Sequence, residues 1–216
     1  FIKSGVDGKT RTIRLNLKKF VYLISPNKIK SSFFSDLDKV LSSNKVKFFQ
    51  LRLKNVSQRR VIQIGLKCKK ITSKYNVKLI INDNFKVAKK IDADGCHLGQ
   101  TDGSIIKARL ALKNKILGIT CHGSKELCMI AKKNNADYIA LGSFFNSKLK
   151  PNASKANFSI LKWAKKNIKK EIVAIGGINN KNFKKLLLSG GNYIAISSFI
   201  WNNPSLNPKE AIKKIK

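Results

Sequence analysis

Two aspartates occupy the most chemically suggestive positions in this chain. Asp83 follows the apolar run Leu79-Ile80-Ile81, and Asp102 follows Gly95-Cys96-His97-Leu98 within the same stretch, residues 78–102. A short buried strand that stops in a carboxylate delivers that acid to the C-terminal edge of a parallel sheet. Two such strands put both acids on one face. Upstream, Gln50, Arg52 and Lys54 alternate along QLRLK, so they share one side of an extended segment. Two fixed cations and an amide suit a multiply charged anion such as a pyrophosphate. Beside that anion, Asp83 and Asp102 would hold Mg2+, with water and phosphate oxygens completing the shell. The plainer readings are an ordinary basic loop and a pair of helix N-caps.

Two further apolar runs end in Gly176-Gly177 and Ser197-Ser198. Glycines let backbone N–H groups approach a ligand, and in barrels the loops after strands seven and eight form a recurrent monophosphate cradle. The 2 histidines, His97 and His122, form no HxH or HExxH pattern, so zinc is not expected. His97 reads as a packed strand residue and His122 as a candidate acid/base at the rim.

These groups need a scaffold that gathers strand ends. Apolar runs at 20–25, 46–51, 79–81, 95–98, 115–120, 137–141, 171–175 and 192–196 read as eight strands. Helical spacing covers 31–43, 57–75, 85–91, 124–134, 154–168, 182–189 and 208–216, with Ser31 or Ser32 and Ser124 as candidate caps. Strict alternation favours a parallel sheet with crossovers, and eight units favour closure, so the expected fold is a single α/β domain, a (β/α)8 TIM barrel. No GxGxxG follows the first strand, which counts against a dinucleotide fold. Residues 20–216 are assigned to the barrel and 1–19 to a leader. That leader is basic but lacks the apolar segment of a secretory signal, and the start at Phe1 reads as processed or trimmed.

Composition narrows the functional class. A hydrophobic share of 43% is that of a globular chain, and no apolar run approaches a membrane span. Cys68, Cys96, Cys121 and Cys128 show no metal-type pairing and read as buried reduced thiols, hence a cytoplasmic setting. The formal charge of +34 invites a polyanion-binding reading. Yet the excess is almost all lysine, spread along every expected helix, without an Arg cluster or aromatic interleaving, so nucleic acid is not the expected partner. A solvated, compositionally biased surface explains it, with some steering of small phosphorylated substrates. Nothing here sets the oligomeric state, and a homo-oligomer stays open.

The ordered series QLRLK (50–54), IINDN (80–84), ADGCHLGQTD (93–102), LGITCH (117–122), ADYIALGSFF (136–145), VAIGGI (173–178) and YIAISS (193–198) resembles the thiamine-phosphate synthase family across nearly the whole barrel. The resemblance implies a transferase of thiamine biosynthesis. It would join an aminopyrimidine-methyl diphosphate to a thiazole phosphate with loss of pyrophosphate. It implies the diphosphate against Gln50, Arg52, Lys54, Asn82 and Lys150, and Mg2+ at Asp83 and Asp102. Thr120 would stand near the reacting pyrimidine, where the family usually has serine, with Lys150 as its partner in catalysis. The thiazole phosphate would rest on Gly177 and Ser198, with Ser197 beside them. One loop departs from the family: its threonine-rich PTxTK string reads Asn146-Ser147-Lys148-Leu149-Lys150 here. Ser147 and Lys150 keep their donors, but Leu149 removes a hydroxyl. Two alternatives remain: a thiazole tautomerase-like paralogue working through His122, and a non-catalytic basic barrel.

Overall fold

The computed structural model describes residues 19–146 and 155–216. Eight strands close into one parallel barrel in chain order. They are β1 (Val21–Ile24), β2 (Val46–Leu51), β3 (Lys78–Asn82), β4 (Gly95–Leu98), β5 (Ile116–His122), β6 (Tyr138–Leu141), β7 (Glu171–Ile175) and β8 (Tyr193–Ile196). The ring shuts where β1 pairs with β8 through Val21 and Ile194. Closure leaves no unpaired edge.

Between the strands run α1 (Phe33–Leu41), α2 (Gln58–Lys74), α3 (Phe85–Lys90), α4 (Ile105–Leu112), α5 (Lys125–Lys133), α6 (Ser159–Asn167) and α7 (Phe183–Leu188). A short α8 (Ser198–Trp201) and α9 (Pro208–Lys214) follow β8. Their starts are chemically marked. Ser57, Asn84, Ser104 and Ser124 each accept a backbone N–H three residues on, and Asn207 with Glu210 forms a full capping box. Ser32 precedes α1 but makes no side-chain cap bond, so that expected cap is not used.

Two expected elements differ. The helix expected over 154–168 begins at Ser159. Before it, the Ala156 N–H donates to the Ser143 carbonyl at 2.8 Å and Asn157 Oδ1 takes the Ser159 N–H at 2.9 Å, which ties residues 155–157 down as a loop. The loop expected after β8 instead winds into α8, because the Ile200 and Trp201 N–H groups both close onto the Ser197 carbonyl. Four residues are too few for a periodic pattern to announce.

The strands' two faces build two cores. Residues such as Leu23, Phe49, Leu79, Ile81 and Leu117 face the helices. Tyr22, Phe48, Ile80, Tyr138, Val173 and Ala195 fill the lumen. Side chains alternate along a strand, so lumen parity continues upward from Phe48 to Gln50, from Ile80 to Asn82 and from Tyr138 to Ala140. His97 and Thr120 join this set, since each hydrogen-bonds within the lumen group. All four cysteines are free and buried. Among the described residues no helix is long and apolar enough to cross a membrane.

Candidate active site

Both aspartates reach the same rim. Asp83 directly follows β3, and its backbone N–H donates to the His97 carbonyl of β4 at 2.8 Å. That bond holds it at φ 64°, the left-handed region, at a strain of about 1 kcal/mol. Asn84, not Asp83, caps α3 by accepting the Val87 N–H at 3.0 Å. Ser104, not Asp102, caps α4. The helix-cap reading of the two acids is therefore excluded by their neighbours. Asp102 braces its own loop, accepting the Gly99 N–H at 2.8 Å, and its carboxyl neighbours that of Asp83.

Cations close on this pair. Lys54 Nζ forms an ion pair with Asp83. The strap that carries Lys54 is pinned to the loop after β1: the Lys54 N–H donates to Asn27 Oδ1 at 2.6 Å and the Arg52 N–H to Ser25 Oγ at 2.9 Å. Partial burial and the neighbouring Asp102 raise the Asp83 pKa above the ordinary carboxylate range, against the pull of Lys54. Asp102 moves the other way: burial opposes, but Asp83, the Gly99 N–H and Lys54 together hold it low. The two neighbouring carboxyls are thus shifted in opposite directions, Asp83 up and Asp102 down.

Among the described residues no group of three His, Cys, Asp or Glu side chains gathers around a metal position. Two carboxylates are still a fitting donor set for Mg2+, which keeps several waters and takes phosphate oxygens in place of protein ligands. Two neighbouring carboxyls that raise the cost of each other's charge are also a pair a divalent ion would relieve.

Below this rim the lumen sets several polar groups among its apolar filling. Gln50 is buried. His97 Nε2 lies 2.8 Å from Thr120 Oγ1, and Nδ1 lies 2.9 Å from the Tyr138 hydroxyl. Burial, with the Arg52 charge adding, pushes the His97 pKa down to about 4 against the pull of Asp102, so the ring is neutral at pH 7. The Thr120 carbonyl accepts from Gln100 Nε2. Across the mouth, Gly176 and Gly177 adopt φ 108° and 59°, which a side chain would resist. At the start of α8 the Ser198 and Phe199 N–H groups have no intrahelical acceptor, as at any helix start. Ser197 Oγ donates to the Ser25 carbonyl at 3.3 Å.

A family model described as thiamine monophosphate synthase matches residues 21–200, the entire barrel through α8. The chain belongs to the thiamine monophosphate synthase family. Membership in this family places it among the transferases of thiamine biosynthesis. A thiamine-phosphate synthase of Pelagibacter ubique is 54% identical over 92% of this chain and 97% of its own length. One from Clostridium acetobutylicum is 34% identical over 91% of this chain and 94% of its own. Among solved structures, a thiamine phosphate pyrophosphorylase from Pyrococcus furiosus superposes with a TM-score of 0.81 at 29% identity, covering 92% of this chain and 93% of that one.

Of the expected site residues, Gln50, Arg52, Lys54, Asn82, Asp83, Asp102, Thr120, Gly177, Ser197 and Ser198 all lie at or just below one rim, by strand end or following loop. Ser147, Leu149 and Lys150 lie outside the described residues. His122 sits exposed at φ 50°, after a register shift between Thr120 and His122 where β5 pairs with β6. Sequence reasoning overlooked Gln100 and the two tyrosines of the lumen, Tyr22 and Tyr138. A signal existed for the tyrosines: each stands in an otherwise aliphatic barrel strand, opposite small or polar residues such as Gly118 and His97.

Proposed function

We propose that this chain joins 4-amino-2-methyl-5-hydroxymethylpyrimidine diphosphate to a thiazole phosphate, giving thiamine phosphate and pyrophosphate. The observation that carries the reading is the contiguity of Lys54, Asp83 and Asp102 at the barrel mouth, directly above Gln50 and Thr120. Cations and paired acids meet there with no activated nucleophile beside them. A reaction driven by departure of a diphosphate needs that division of labour: neutralise the leaving group and hold two reactants close.

Arg52, Lys54, Gln50 and Asn82 would bind the diphosphate, with Lys150 and Ser147, which follow β6 in the sequence, contributing. Asp83 and Asp102 would hold Mg2+, which when bound supplies positive charge to the diphosphate oxygens. Thr120 would orient the pyrimidine from the lumen roof. The backbone N–H groups of Gly177 and Ser198, with Ser197 adjoining, would receive the thiazole phosphate. The thiazole nitrogen then captures the pyrimidine methylene as the C–O bond to diphosphate breaks. A tautomerase-like role through His122 would need neither the cation strap nor the acid pair, and both are retained. The deciding experiment is a pyrophosphate-release assay with both substrates, with and without Mg2+. Release that requires both substrates and the metal supports the reading; no release under any condition removes it.

A further inference from the structure

The lumen of a (β/α)8 barrel is ordinarily packed with branched apolar side chains. Here a continuous file of polar groups runs through it. Tyr22 Oη lies 2.7 Å from Tyr138 Oη, Tyr138 Oη lies 2.9 Å from His97 Nδ1, and His97 Nε2 lies 2.8 Å from Thr120 Oγ1. Gln50, two residues above Phe48 on β2, is buried in the same lumen. The file ends at Thr120, a residue placed at the substrate, while Tyr22, Tyr138 and His97 are buried beneath it. Tyr138 crosses the barrel only because Gly118 leaves it room: a Cβ there would collide with the Tyr138 ring. That ring then stacks on His97, with centroids 5.6 Å apart and planes 14° from parallel. An aliphatic filling would avoid burying these polar groups, each of which must find a partner. Packing alone does not explain the file.

We infer that His97, held by Tyr138 and Tyr22, is a positioning residue that directs the Thr120 hydroxyl proton outward to the substrate. The inference rests on the reading of the rim as the synthase site. A neutral imidazole has one donor and one acceptor nitrogen, so the bond at Nδ1 dictates the one at Nε2. The Tyr138 phenol is a far more acidic donor than the Thr120 alcohol, so it is the partner that donates to the imidazole lone pair. Nδ1 accepts from Tyr138, Nε2–H donates to Thr120 Oγ1, and the threonine's own proton is free for the pyrimidine or the departing diphosphate. Tyr22 continues the order by donating to Tyr138 Oη. Reversing any one bond reverses them all, which makes the arrangement a single unit rather than three separate contacts.

The tautomer is readable without turnover. Only 2 histidines are present, so 15N-histidine labelling gives two ring systems, and the pair of signals missing from His97→Gln identifies His97. The expected result is a His97 ring in the Nε2–H form at neutral pH, which becomes a tautomer mixture in Tyr138→Phe. An Nδ1–H ring or an imidazolium near neutrality in the wild-type chain overturns the inference. Kinetically, Tyr138→Phe is expected to lower kcat about 10-fold with both KM values within about two-fold. The same change made on top of Thr120→Val should cost nothing more; additive losses would reduce the file to structural support. Should Tyr138→Phe fold poorly, His97→Gln, which restores a donor near Nε2, must outperform His97→Leu in kcat, and equal losses overturn the inference. If the wild-type chain releases no pyrophosphate, the synthase reading fails on its own while the tautomer result still stands.

Discussion

The two ends of the barrel use aspartate in opposite ways. At the lower end, where strands begin, three aspartates are each held by at least two donors. Asp94 takes Lys78 Nζ and the Leu79 N–H, both at 2.9 Å. Asp137 takes Arg109 Nη2 at 2.6 Å and the Leu117 N–H at 2.8 Å. Asp92 bridges Lys115 at 2.6 Å and Lys69 at 2.9 Å, and these two ammonium groups hold its pKa down to about 2. At the upper end Asp83 faces another acid as well as Lys54, and its pKa is raised. The chain carries 11 acidic residues against 45 Lys and Arg, so a cation for every acid was easily available. Placing two carboxyls against each other in such a chain is costly for stability. That contrast separates a face that holds the barrel together from a face arranged for a ligand.

The largest test of this contrast is Asp83→Asn. Pyrophosphate release should fall about 100-fold or more, while the thermal midpoint holds or rises, because asparagine tolerates the left-handed region and removes a like charge. A normal rate in that variant would erase the distinction between the two ends. The mirror experiment is Asp137→Asn at the lower rim. It should leave turnover unchanged and cost about 1 kcal/mol in chemical denaturation, since the pair is half-exposed but the Leu117 N–H loses a charged acceptor.

Acid titration sharpens the same point. Asp92 has a folded pKa below its unfolded value, so its contribution to stability is present above the ordinary carboxylate range. It is lost as pH falls from there through about 2. Asp83 is shifted upward and loses no stability over that window. Unfolding midpoints of Asp92→Asn and the wild-type chain should therefore converge at low pH; a constant gap would contradict the ion pairs. The smallest effect is expected from Leu149→Thr. Restoring a hydroxyl to the loop after β6 should tighten pyrophosphate binding by about 10-fold or less by calorimetry. Weaker binding would show that the loop does not meet the diphosphate.

Legibility in the sequence followed physical range. Asp83 and Asp102 could be placed on one rim because each ends an apolar run, and parallel strands point their ends one way. Their exclusion as helix caps could not be read, since Asp83 and Asn84 are adjacent and either could have bonded the turn of α3. The break before α6 was hidden for a similar reason: residues 155–157 are drawn off by Ser143, a contact across the chain. Tyr138 was read only as strand filling, because its role depends on Gly118 and His97 from neighbouring strands.

The sequence by itself determined the repeating strand-and-helix alternation, the common direction of the strand ends and the residue types gathered there, because these are written in local periodicity and order. Only the tertiary structure decided which acids meet each other and which meet lysine, and that four polar side chains join into one file through the lumen. Hydrogen bonds and charge pairs form between side chains on different strands. Their partners are set by closure of the barrel, which no local pattern contains.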